Sequence, residues 1–133
     1  MKDQEVISTM QAADQVTIKL EVARGRLQSI VDEAGAVLIR AVQPVRGMTE
    51  MKKRRRIEQI RDLCNGPAKL TQAFAISSTL NGHDLTLGER LYITESSHAE
   101  PLSIKIGTRI GIRMGGEKLW RFFVEDNPCV SRR

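Results

Sequence analysis

Gly66-Pro67, in the middle of Asp62-Leu63-Cys64-Asn65-Gly66-Pro67-Ala68-Lys69-Leu70-Thr71-Gln72-Ala73, constrains the local fold more than any other dipeptide in the chain. Proline has no amide hydrogen and a φ held near −65°, so within a helix it suits only the first turn. A helix is therefore predicted to start at Pro67, capped by Asn65 or Gly66. It buries Leu70, Ala73, Phe74 and Ile76 and stops before Asn81-Gly82. A second helix is predicted just upstream, from Thr49 to about Asp62, with Thr49 as N-cap and Ile57, Ile60 and Leu63 as its apolar edge.

The rest of the chain reads largely as strands. Val16–Val22 alternates apolar and polar residues, the period of a half-buried strand. After the basic turn Arg24-Gly25-Arg26, Leu27–Val31 and Ala36–Val42 are predicted to form a hairpin around Asp32-Glu33-Ala34-Gly35. Pro44 is expected to end its second strand, because proline cannot donate to a ladder. Upstream, Val6, Met10 and Ala13 fall at helical spacing, so Asp3–Ala13 reads as a short helix. Downstream, Leu91–Ile93 is a short strand, the alternating isoleucines Ile104, Ile106, Ile110 and Ile112 make a longer one, and Leu119–Val124 is the last. Segregated strands and helices with no βαβ array predict an α+β chain, a single mixed domain.

At 133 residues a single domain is expected, and 21 basic against 16 acidic side chains favour a polyanionic partner. Residues 40–69 concentrate that charge, holding nine basic and three acidic side chains. The run Lys52–Arg56 is read as leaning toward phosphate attraction, against an ordinary solvated helix face as the alternative. Cys64 and Cys129 are far apart in sequence without metal-ligand spacing, so they read as reduced thiols. His83 and His98 fall in predicted loops, and no metal is expected. No apolar run reaches membrane-spanning length, and the charged start Met1–Glu5 has no hydrophobic stretch behind it. Met48 and Met51 read as packing residues.

The Asp62–Ala73 tract resembles the signature of the alkylpurine DNA glycosylase family (the DNA-3-methyladenine glycosylase type), which reads roughly Asp/Glu-Leu-x-x-Gly-Pro-x-Lys-Leu-x-Gln-Ala. Other segments are similar to that family in the same order. Val37-Leu38-Ile39-Arg40-Ala41-Val42-Gln43-Pro44 resembles its Val-Leu-Ile-Arg-Ala-Leu-Glu-Pro strand. Leu80–Leu85 follows the signature at the usual distance, Arg109-Ile110-Gly111-Ile112 looks like its Arg-Ile-Gly-Val strand, and Trp120–Val124 with Asn127-Pro128 resembles its C-terminal close. The likeness runs over residues 27–133, leaving residues 1–26 as a divergent N-terminal segment.

The resemblance implies an antiparallel curved sheet with a few helices (a glycosylase fold like that of the FMT C-terminal domain), incomplete here at its N-terminus. It also implies a monofunctional, cofactor-free hydrolase of base-excision repair. Such an enzyme releases alkylated purines from duplex DNA and acts as a monomer; reduced cysteines and the lack of a targeting segment point to the bacterial cytoplasm, in association with the nucleoid. By the same resemblance Arg40 and the main-chain carbonyl of Ile110 hold the attacking water. Gly111 is a backbone approach to DNA, with a strand bulge as the alternative. Arg109 contacts a neighbouring phosphate or simply faces solvent. Lys69 meets a phosphate at its helix start or covers that start structurally. Ser78 replaces a lysine that touches the backbone in many relatives, and Gln28 stands in place of an asparagine.

Upstream the sequence departs from the family. There is no Glu-x-Glu-Ala-Tyr motif, no histidine before His83 and no tyrosine before Tyr92. A glycosylase extrudes its target base and holds it between aromatic or apolar faces. It also needs a carboxylate to activate water. Glu21, Asp32 and Glu33 are the nearby acids, and each reads as a surface charge. The expectation is therefore a weakly active or inactive chain. Two alternatives stand beside it: a sequence-neutral DNA-binding remnant, and a frameshift or misplaced start that replaced the N-terminal half.

Overall fold

A computed structural model of the chain describes residues 5–12, 16–23, 37–95 and 103–131. Four strands build the larger sheet: β1 (Glu5–Ala12), β2 (Val16–Ala23), β3 (Gln43–Pro44) and β4 (Leu91–Glu95), in the order β3-β2-β1-β4. All its pairings are antiparallel, with Met10 opposite Ile18 on one side of β1 and Ile93 on the other. A separate antiparallel pair joins β5 (Ile104–Gly107) to β6 (Arg121–Val124), with Ile106 opposite Phe122. Asn127 Nδ2 donates to Gln43 Oε1 at 2.8 Å, linking the segment after β6 to β3 at the edge of the larger sheet.

Two helices lie between β3 and β4. Helix α1 (Met48–Arg55) starts after Gly47, whose φ of 73° supplies the left-handed entry, so Thr49 falls inside the first turn and is not the cap. It ends much earlier than the sequence suggests. Arg56 turns left-handed at φ 54°, its amide returning to the Lys52 carbonyl at 2.7 Å, and the chain resumes as a 3₁₀ turn over Ile60–Asp62. The basic last turn of α1 suits the negative end of a helix. Helix α2 (Pro67–Ala73) begins at the predicted proline with Gly66 as its N-cap. It is shorter than expected, because Ala75 takes φ 54° and Ser78–Leu80 forms a separate 3₁₀ turn.

The core is assembled by these helices and the chain on either side of them. Val42, Met51, Leu63, Cys64, Leu70, Ala73, Phe74 and Leu91 form one buried cluster, flanked by the partly buried Ile39, Met48, Ile57, Ile76, Leu80, Leu85 and Ile93. Met48 and Met51 thus act as packing residues, with Met51 and Leu63 having no exposed surface. His83 fastens the following loop: its Nε2 lies 2.9 Å from the carbonyls of both Glu89 and Leu91. Carbonyls only accept, so that nitrogen carries the proton.

The mixed α+β reading holds, with strands and helices segregated along the chain. Several element predictions do not. The helix expected over Asp3–Ala13 is strand β1 through residues 5–12, because pairing on both sides overrides the helical spacing of Val6, Met10 and Ala13. Residues 37–42 belong to no helix and enter no ladder. The strand begins at Gln43 and includes the buried Pro44, which the sheet tolerates because β3 is an edge. The long isoleucine strand stops at Gly107, and Arg109–Ile112 is a bend outside any ladder. The predicted strand Leu27–Val31, its turn at Asp32–Gly35, the turn Arg24–Arg26 and His98 lie outside the described residues.

Candidate functional site

The Gly-Pro tract is held by a chain of side-chain bonds. Buried Asn65 donates from Nδ2 to Asp62 Oδ1 at 2.9 Å and accepts at Oδ1 from Lys69 Nζ at 2.8 Å. The stem of Lys69 folds back over Gly66, where an added Cβ would stand 3.6 Å from Lys69 Cδ. Lys69 therefore does cover its helix start. Its ammonium spends one of three donors on Asn65, and the residue remains exposed.

Arg40 lies on the segment that leads into β3. The Val42 amide donates to the Cys64 carbonyl at 3.2 Å, which fixes the segment beside the buried end of the tract. Ile39, Arg40 and Ala41 are all half-buried. The Nε of Arg40 is sealed from solvent and has no hydrogen-bond partner among the described residues. A guanidinium donor left in that state is costly.

Arg109, Ile110 and Gly111 occupy the bend after β5. Ile110 is half-buried, while Arg109 and Gly111 are exposed. Gly111 has φ 73°, and a Cβ built on it would meet nothing within 4 Å. Gly111 therefore serves a left-handed turn with open space in front of it, and the strand-bulge alternative does not apply. Arg109 lies 6.0 Å from the Trp120 ring centroid. No hydrogen bond or ion pair among the described residues links Arg40 to this bend or to Lys69. Val42 ties the Arg40 segment to Cys64 and Lys69 bonds Asn65, so both meet the same tract, while Arg109–Gly111 share one bend after β5.

The basic run Lys52–Arg56 divides in a way that residue type alone does not reveal. Arg54 donates to the Ala73 carbonyl at 3.1 Å. Arg55 reaches the Leu63 carbonyl at 3.1 Å through Nε and Gln72 Oε1 at 2.6 Å through Nη1. These two arginines are pins between α1, the tract and α2. Lys52 and Lys53 pair with Glu58 and Glu50 at 3.0 and 2.8 Å, as a solvated face does. Of the acids considered as general bases, Glu21 falls on β2 opposite Ile7, and Asp32 and Glu33 lie outside the described residues.

Both cysteines are free thiols and buried. Burial pushes the Cys64 thiol up to about 12, with the charge of Cys129 adding to the rise and Arg55 opposing it. Burial likewise raises Cys129, reinforced by Asp62. Both are thus poor nucleophiles, and neither suits a catalytic role. Among the described residues no helix is long and apolar enough to cross a membrane.

Comparison with known proteins adds an independent line. The family described as methylpurine-DNA glycosylase matches residues 27–128. Three bacterial relatives carry the name "Putative 3-methyladenine DNA glycosylase". That of Carboxydothermus hydrogenoformans is 46% identical over 103 residues, 77% of this chain and 54% of its own length. That of Prosthecochloris aestuarii is 45% identical over 102 residues, 74% of this chain and 47% of its own. That of Bacillus licheniformis is 46% identical over 104 residues, 76% and 52% respectively. The chain spans about half the length of these curated relatives.

Proposed function

The chain belongs to the methylpurine-DNA glycosylase family, and from that premise we propose that it engages duplex DNA carrying alkylated purines. The reaction served is hydrolysis of the bond between deoxyribose and the damaged base. In that reaction a water oxygen adds at C1′, the N-glycosidic bond breaks, and the purine leaves with the bonding pair. The observation that carries this reading is the family match over residues 27–128, which takes in Arg40, a half-buried arginine whose Nε has no hydrogen-bond partner among the described residues. Arg40 sits at the position that resembles the family's water-holding arginine. In the proposed arrangement Arg40 and the Ile110 carbonyl orient the water, while Lys69, Arg109 and Gly111 hold the DNA backbone. Such placement lowers the barrier by fixing the nucleophile before attack.

Water held by an arginine is not thereby deprotonated. That step needs a carboxylate, which also balances oxocarbenium-like charge. No carboxylate pairs with Arg40 among the described residues, and none of the 133 residues stands in a Glu-x-Glu-Ala-Tyr motif. We therefore propose that these 133 residues bind DNA more effectively than they cleave the glycosidic bond. The same observation supports a second reading, salt-sensitive DNA binding without hydrolysis.

Two measurements on duplexes carrying hypoxanthine or 3-methyladenine separate these readings. Base release is followed by alkaline cleavage at the abasic site, and binding by fluorescence anisotropy against an undamaged duplex. Slow base release that is abolished in Arg40→Gln supports the enzyme. Equal affinity for damaged and undamaged duplex, with no release, supports the binding module. Rapid release would refute the proposal that the 133 residues lack an effective base, and no binding to either duplex would refute both readings.

A further inference from the structure

The loop between β5 and β6 gathers cations in an unusual way. Lys118 Nζ lies 4.3 Å from the centroid of the Trp120 ring, and Arg109 Cζ lies 6.0 Å from the same centroid. The two charges are thus separated by no more than the sum of those distances. Like charges so close repel one another, and carboxylates usually relieve such pairs. Here Glu117 is the only acid between residues 108 and 120, and it forms no ion pair with either cation.

The cations on the flanking strands, Lys105 and Arg121, are committed elsewhere. Lys105 pairs with Glu125, which also accepts from Ser103 Oγ at 2.7 Å. Arg121 donates to the Ser131 carbonyl at 3.0 Å and lies over Phe123. Arg109 and Lys118 are left exposed and without a carboxylate among the described residues, held together only by an indole that is itself 47% exposed. Beside them, Gly111 presents backbone with nothing in front of it. The surface is open, uncompensated and positive, which matches a chain of phosphates better than an apolar partner.

We propose that Arg109 and Lys118, gathered on Trp120, form a clamp for the phosphodiester backbone of duplex DNA, with Trp120 as the positioning residue. An anion between the two cations replaces their repulsion with attraction to both. The indole holds the ammonium and the guanidinium near one another before the DNA arrives, so less side-chain freedom is lost on binding. This inference rests on the DNA-binding reading above and gives a DNA-facing role to two residues, Lys118 and Trp120, to which the sequence reading assigned none.

The chain contains one tryptophan, so its own emission reports on the clamp alone. The 133-residue chain is titrated with an end-labelled duplex, following anisotropy of the label and Trp120 emission together. The two signals should saturate at the same DNA concentration. Arg109→Gln and Lys118→Gln should each lower the slope of log affinity against log salt by about one. Trp120→Leu keeps every charge, yet should weaken binding roughly five- to tenfold and reduce the slope, whereas Trp120→Phe should restore most of the affinity. In the free protein, iodide should quench Trp120 more than neutral acrylamide does, and the double glutamine variant should abolish that excess. A duplex that binds while Trp120 emission stays flat, and whose salt slope is unchanged in the double variant, overturns the clamp and leaves DNA binding intact. Absence of any duplex binding overturns both.

Discussion

The Nε of Arg55 donates to the main-chain carbonyl of Leu63 at 3.1 Å, joining the last turn of α1 to the start of the Gly-Pro tract. The same guanidinium bonds Gln72 Oε1 on α2, so one side chain spans three pieces of backbone. Hydrogen bonds from a charged donor contribute more than neutral ones, and removing this donor strands a carbonyl at a partly buried position. Arg55→Met should therefore cost about 2 kcal/mol, read as a lower urea midpoint at unchanged m-value. Lys53→Met, on the exposed side, should change stability by less than about 0.5 kcal/mol. Equal effects of the two would show that Arg55 is an ordinary surface charge.

Arg56 occupies the left-handed region at φ 54° with an exposed side chain, and no glycine is present to ease that turn. An L-residue there carries roughly 1–2 kcal/mol of strain. Glycine removes the strain but gives the unfolded chain more freedom, which offsets part of the gain. Arg56→Gly should still raise stability, by about 0.5 kcal/mol in chemical denaturation. A lower midpoint would mean that the arginine side chain contributes contacts outweighing its backbone strain.

This turn also shows where sequence reasoning stops. Pro67 announces its helix because its φ is built into the residue, and Val16–Val22 announces its strand through alternation. Nothing in the composition of Thr49–Asp62 marks Arg56 as the break, since arginine is a good helix former. Val6 and Met10 stand four apart, a spacing that fits both periods, and only the pairing of this stretch with β2 and β4 decides. Within the candidate site, Arg40 is singled out in advance by family likeness, but its sealed, unbonded Nε is visible only in three dimensions. The arginines of the basic run look alike in sequence. Their division into backbone pins and solvated charges depends on which carbonyls lie within reach.

Cys64 links stability to alkaline pH. Its thiol titrates near 9.0 when unperturbed and at about 12 in the folded chain, because burial disfavours the thiolate. Below 9.0 both states hold the proton and no pH dependence arises. Above it the unfolded state loses the proton first, so stability falls as pH rises from 9.0 toward about 12. Cys129 is shifted in the same direction and adds to the fall from the same lower limit. One such group contributes a slope of at most about 1.4 kcal/mol per pH unit. Cys64→Ala should flatten that part of the curve, while lowering stability at neutral pH through the small cavity it leaves. Denaturation midpoints between pH 8 and 11 provide the check, and an unchanged alkaline slope in the variant would count against the buried thiol as its source.

Gly111 separates a backbone role from a side-chain one. Its φ of 73° disfavours any Cβ, while the space where that Cβ would stand is empty, so Gly111→Ala introduces strain without a clash. The expected cost to folding is about 1 kcal/mol. A purely structural turn would lose that amount and nothing else, leaving duplex affinity intact once the protein is folded. If the bend approaches a DNA backbone, the added methyl occupies the contact, and affinity should fall more than tenfold with little change in the salt slope. The slope stays because phosphate attraction comes from Arg109 and its neighbours, not from a glycine without charge. Anisotropy titrations of the folded variant at two salt concentrations read both quantities, and unchanged affinity would remove Gly111 from the DNA-facing surface while leaving Arg109 on it.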